Sequence, residues 1–141
     1  MSEIRPLSAV DFLHFDSTGV PFLRGSRCDK CNAIAPGDRS VCNACGARDA
    51  ISPTRLSERG ALYTYTIVHR SFPGVKTPFV AAIVDLEGGG ALKGTLLNTP
   101  IDPRQIAYGM PVRFIFRDTG QCSAEGRPFF SYYFEPIVGA A

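Results

Sequence analysis

Two Cys-x-x-Cys pairs, Cys28-Asp29-Lys30-Cys31 and Cys42-Asn43-Ala44-Cys45, stand ten residues apart in the first third of the chain. Thiolates at this spacing, carried on two knuckles of a short hairpin, can converge on one tetrahedral ion. Zn²⁺ is the usual occupant of such a closed four-thiolate site. Four protein ligands leave no position for water or substrate, so the expected role is structural. Gly46, directly behind the second pair, lets the backbone turn tightly enough for amides to face the sulfurs. A rubredoxin-type iron centre uses the same ligands, and a pair of redox dithiols uses the same spacing. Zinc is favoured over both because no neighbouring residue marks an open or catalytic site.

Beyond these thiols the catalytic inventory is thin. His14 and His69 are the two histidines, and the chain has no Gly-x-Ser-x-Gly elbow, phosphate-binding glycine loop or His-Glu-x-x-His motif. His69 has no companion carboxylate close in sequence and reads as a rim histidine; Cys122 reads as a reduced thiol without a partner base. Catalysis by this chain alone is therefore not expected. The segment Arg70-Ser-Phe-Pro-Gly-Val-Lys-Thr-Pro78 is more suggestive. Arg70 and Lys76 offer charge, Phe72 offers apolar area, and two prolines limit the loop, which suits a phosphate-bearing ligand with an apolar tail. The competing reading is a solvated hairpin loop.

The elements that must position these residues read as an arm, a metal module and a barrel. Residues 1–19 form the arm, in which Leu7, Val10, Leu13 and His14 at helical spacing predict a short amphipathic helix over 7–15. Its aromatic residues can pack on their own domain or dock on a partner. Residues 20–52 hold the zinc ribbon, and 51–59 look like a connector. From residue 53 onward the pattern is that of an OB domain. Period-two, β-branched and aromatic runs predict strands at 61–69, 79–86, 91–97, 111–117 and 129–134. Asp102 and Pro103 predict a short helix ending near Gly109. Five short strands with a small helix between the third and fourth match a five-stranded OB-fold barrel in an all-β protein.

Composition fits this organisation and bounds the partners. With 45% apolar and 20% charged residues the chain has a globular profile, and a net charge of +2 with scattered basic residues speaks against a protein living on nucleic-acid phosphates. Aromatic residues on both faces of 129–134 suit core packing or a protein interface better than a base-stacking platform. No stretch approaches the roughly eighteen apolar residues of a membrane span, and no leader pattern opens the chain. A cytoplasmic location, where metal-binding thiolates stay reduced, is the expectation.

Phe22-Leu-Arg-Gly-Ser-Arg-Cys-Asp-Lys-Cys31, the Pro36-Gly-Asp-Arg39 stretch before Cys42-Asn-Ala-Cys-Gly46, Gly60-Ala-Leu-Tyr-Thr-Tyr-Thr-Ile-Val-His69, Pro78-Phe-Val-Ala-Ala-Ile-Val-Asp-Leu-Glu-Gly88 and Tyr108-Gly-Met-Pro-Val112 together resemble one family. It is the thiolase-associated family of OB-fold proteins with an N-terminal zinc ribbon, also called the acyl-CoA-associated OB-fold family, and the resemblance covers nearly the whole chain. It implies a rubredoxin-like ribbon with Cys28, Cys31, Cys42 and Cys45 as zinc ligands. It also implies a non-catalytic subunit in a hetero-oligomer with a thiolase-fold catalytic partner, helping to enclose an acyl-CoA, with benzylsuccinyl-CoA thiolysis as one implied reaction. The loop with Arg70, Phe72, Lys76 and Phe79 becomes the candidate CoA-ester side. The alternative is a zinc-ribbon OB module that binds single-stranded nucleic acid. A self-sufficient thioesterase would need an acid–base constellation that is missing.

Overall fold

The computed structural model describes residues 7–137, and every regular element in them is a strand. Contacts divide these residues into two compact units, one of 7–56 with 116–132, the other of 57–115 with 133–137.

In the first unit the strands are β1 (Leu7–Ser8), β2 (Leu13–Phe15), β3 (Pro21–Cys28), β4 (Ile34–Pro36) and β5 (Ile51–Arg55). β3 is the hub: β2, β4 and β5 all pair with it antiparallel. Leu13, Leu23, Ala35 and Leu56 are buried here together with Cys28 and Cys42. Gly25 on β3 has no room for a side chain, because a Cβ would stand 2.7 Å from the Ala35 carbonyl oxygen and 2.5 Å from a Leu56 methyl. That close approach lets β4 and β5 flank β3 at the entrance to the first knuckle.

The second unit holds β6 (Arg59–Val68), β7 (Phe79–Leu86) and β8 (Ala91–Leu96), and shares β9 (Pro111–Cys122) and β10 (Pro128–Pro136) with the first. The strands run β9-β6-β7-β8-β10, and a β10–β9 pairing closes the ring into a five-stranded barrel. Within it β10 and β8 pair parallel, and β6 pairs antiparallel with both β7 and β9. Alternation places Val80, Ala82, Val84 and Leu86 of β7 inside, where they meet Leu62, Leu92, Leu96, Val112 and Phe134. The rings of Phe114 and Phe134 pack with centroids 4.9 Å apart.

Three local expectations are corrected. Residues 7–15 are not a helix: β1 lies parallel on β10, Leu7 beside Phe129, and β2 pairs with β3, Leu13 beside Leu23. Of the residues that imitate one helix face, Leu7 thus belongs to one short strand, Leu13 and His14 to another on a different sheet, and Val10 to the bend between them. Ser8 Oγ donates to the Leu13 carbonyl and so closes the turn between them. Residues 102–109 form turns rather than a helix. Asp102 accepts from the Arg104 amide at 2.9 Å, closing a turn and not capping a helix, and Gly109 donates to the Leu62 carbonyl at 2.7 Å and is drawn to β6. The expected connector at 51–59 contains β5 and the first residue of β6, since the free edge of β3 accepts a strand despite Pro53.

Candidate functional site

The two knuckles are built alike. The Cys28 amide donates to the Ala33 carbonyl and the Cys42 amide to the Ala47 carbonyl, both at 2.9 Å. Four residues after each leading cysteine, Asn32 and Gly46 donate back to the Cys28 and Cys42 carbonyls and adopt φ of 64° and 77°. Those positive φ values explain the residue types, since Asn and Gly enter the left-handed region at least cost. Ser26 braces the hairpin between the knuckles: its buried Oγ donates to the Gly37 carbonyl at 2.6 Å and accepts from the Arg39 amide at 3.1 Å.

This scaffold brings the sulfurs of Cys28, Cys31, Cys42 and Cys45 within 4.8 Å of one another. Cys28 and Cys45 stand 3.7 Å apart, and Cys31 and Cys42 3.6 Å apart. A regular tetrahedron with zinc–sulfur bonds of about 2.3 Å has edges of about 3.8 Å, so the four thiols can hold a metal ion such as zinc. The Ala44 and Cys45 amides point at Cys42 Sγ from 3.3 and 3.4 Å. Those amides of Cys45 and Ala44 hold the Cys42 thiol down at about 6, and the amides of Cys31 and Lys30 lower Cys28 likewise. Cys31 is pushed up to about 12: the Ala33 amide acts to lower it, but the Cys42 sulfur, burial and the other two sulfurs outweigh that. A metal ion would reverse this opposition by favouring all four thiolates. Cys28 and Cys42 are buried while Cys31 and Cys45 face solvent, so the cluster lies at a surface, stapling rather than filling.

The other candidates lie apart from the thiols in sequence and in their elements. Arg70, Phe72 and Lys76 share one exposed turn between β6 and β7, closed by a Val75 amide donating to the Phe72 carbonyl at 3.1 Å. Phe72 is 83% exposed, which is unusual for a phenylalanine without a covering partner. Phe79 is separated from them, half-buried as the first residue of β7 opposite Val68. His69 is exposed just past the end of β6. His14 lines a cleft of about 220 Å³ with Asp11, Phe12, Arg24, Gly37 and Asp38, its ring 5.9 Å from that of Phe22. Sequence reasoning did not single out the aromatic pair of Tyr65 and Tyr108, whose rings stand 5.6 Å apart. Tyr108 reaches it from a turn that backbone bonds of Gly109 and Met110 with Leu62 tie to β6. Among the described residues no helix is long and apolar enough to cross a membrane.

Comparison with known proteins agrees with this architecture. The family profile described as the ChsH2 C-terminal OB-fold domain matches residues 54–117. A DUF35 domain-containing scaffold protein of Methanocaldococcus jannaschii is 30% identical over 118 residues, covering 82% of each chain. The benzoylsuccinyl-CoA thiolase subunit BbsA of Thauera aromatica is 35% identical over 134 residues, 90% of this chain and 85% of that one. Among solved structures, the Ltp2-ChsH2(DUF35) aldolase superposes with a TM-score of 0.62 at 28% identity, covering 83% of this chain and 86% of that one. The four-thiol ribbon and the closed barrel, matched along most of their length by these relatives, make the chain a member of the DUF35 family of OB-fold proteins.

Proposed function

We propose that this chain is an accessory subunit of an acyl-CoA enzyme complex, in which a thiolase-type partner carries the reacting groups. The observation that carries this reading is the similarity, along nearly the whole chain, to a protein named as a thiolase subunit. The name of the aldolase points to the same kind of assembly. The closed thiol cluster supports it, because four protein ligands leave no open metal position for a reaction.

In this reading the ribbon cysteines hold one zinc ion, which when bound supplies folding free energy and no bond-making chemistry. Cys28 and Cys42 anchor it from the buried side, and their facing amides orient the sulfurs. Arg70 and Lys76 attract CoA phosphates, while Phe72 meets the acyl chain or the partner. Benzoylsuccinyl-CoA is a better substrate candidate than the benzylsuccinyl ester implied by the resemblance. A thiolase cleaves the bond between a ketone carbonyl and its α carbon, and a benzylsuccinyl ester has no such ketone.

The test is co-expression with a thiolase-fold chain of the same genome, followed by thiolysis assays on each chain alone and on the mixture. Activity that appears or rises only in the mixture is the expected result. Turnover by this chain alone would overturn the accessory role. Steeply salt-dependent binding to single-stranded DNA without any partner complex would favour the nucleic-acid reading instead.

A further inference from the structure

β6 has two edges, and one of them is largely unused. β7 pairs with it from Gly60 to Val68, whereas β9 pairs only with Arg59, Gly60 and Ala61. Leu62 extends that side by one residue, donating to the Met110 carbonyl and accepting from the Gly109 amide. From Tyr63 to Val68 no strand among the described residues pairs with this edge.

The register identifies which peptide groups lie there. The Leu86 amide donates to the Gly90 carbonyl in the turn toward β8, so Leu86 and, by alternation, Val84, Ala82 and Val80 turn their backbone groups away from β6. Ile83, Ala81 and Phe79 turn theirs toward β6, opposite Thr64, Thr66 and Val68. Tyr65 and Ile67, opposite Ala82 and Val80, therefore direct their N–H and C=O groups to the open edge.

Open edges are normally guarded by a lysine, a proline or an inward charge. The run Ala61-Leu-Tyr-Thr-Tyr-Thr-Ile-Val68 has none of these, and its one irregularity is the bulge between Leu62 and Thr64. Aromatic surface adjoins it. Tyr63 is 64% and Tyr108 70% exposed, and the Tyr108 ring packs at a 37° tilt against that of Tyr65 on the same edge. An occupant must satisfy alternating backbone donors and acceptors and also cover rings. A nucleic acid can stack on rings but offers no alternating amides, and its phosphates would find no Lys or Arg between Ala61 and Val68. An extended peptide does both.

We infer that the Tyr63–Val68 edge is a strand-addition site for an extended, uncharged and largely apolar segment of the catalytic partner. This rests on the accessory-subunit reading and names the contact that reading requires. The partner segment bonds to the backbone of Tyr65 and Ile67 and lays apolar side chains on Tyr63 and Tyr108.

The experiment measures residue-resolved amide hydrogen exchange in the free chain and in its purified complex with the thiolase-fold chain. The Tyr65 and Ile67 amides should exchange at least about tenfold more slowly in the complex, while the Thr64 and Thr66 amides, already bonded to β7, change little. Thr66→Lys guards the edge from an exposed position and should weaken the complex about tenfold, with Thr66→Val as the tight-binding control and unchanged thermal unfolding in both. A complex that forms with unaltered exchange at Tyr65 and Ile67 overturns strand addition and leaves the accessory role standing. Failure to form any complex overturns both. Protection that appears in the isolated chain as its concentration rises gives the edge to a second copy and overturns the partner assignment.

Discussion

The ring of Phe12 stands 5.5 Å from that of Tyr132, centroid to centroid, with the planes tilted by 50°. Two uses were open for the aromatic N-terminal segment, packing on its own domain or docking on a partner, and Phe12 takes the first. It lies in the turn between β1 and β2 and passes its carbonyl to the Arg24 amide at 2.8 Å, which ties the segment to β3 while its ring covers a tyrosine of β10.

Burial pushes the Tyr132 hydroxyl up to about 12 from its ordinary 10.0. A folded state that resists ionising this phenol binds more protons than the unfolded chain across that window, so stability falls as pH rises from about 10 toward 12. Tyr132→Phe should make the decline shallower in that window and leave the profile unchanged below about pH 9. Urea unfolding across the alkaline range measures it; an identical slope in the variant would mean that this phenol is as free in the folded state as in the unfolded one.

The thiol cluster predicts one zinc per chain in purified protein, measured by elemental analysis. Cys42→Ala removes a buried ligand that accepts two amide bonds, so metal should be lost and the ribbon should loosen. Chelation of the parent should have the same effect. Retention of one tightly held zinc by the variant would show that three thiols suffice.

Gly60 lies between β7 and β9, opposite Leu86 on one side and Val112 on the other. A Cβ there would collide with the Asp85 carbonyl oxygen and stand 2.7 Å from a Val84 methyl. The first contact is with backbone and cannot be relieved by a rotamer, so Gly60→Ala should destabilise the protein by about 1–3 kcal/mol. Thermal unfolding reads this as a drop of several degrees with zinc content unchanged.

Much of the barrel was legible because its signals are local. Alternation in Phe79–Leu86 determines which residues face inward, and the strand bounds there agree to the residue. The cysteine spacing likewise foretold which four side chains meet. What escaped was set by distant partners. Leu7, Val10, Leu13 and His14 have helical spacing, yet β10 and β3 offer edges that only the folded chain presents. Asp102 carries a capping signal that is used, but for a turn, and the residues after it lead to Gly109 and Met110, which bond to Leu62 of β6, a partner distant in sequence. The meeting of Tyr65 and Tyr108 was hidden for the same reason, since β7 and β8 lie between them in the chain.

The loop between β6 and β7 supplies the final prediction. Arg70, Phe72 and Lys76 are exposed together, and a CoA ester bound there in the complex would meet charge at its phosphates and apolar surface at its chain. Lys76→Glu exchanges attraction for repulsion, so the Michaelis constant of the complex for its CoA ester should rise on the order of tenfold with zinc content unchanged. Phe72→Ala removes contact area without altering charge, so its effect should persist as salt is raised while the Lys76 effect shrinks with the Debye length. A salt series on both variants in the reconstituted complex separates the two contributions. If both keep the parent's Michaelis constant at every salt concentration, the loop is a solvated connector and the CoA ester binds elsewhere.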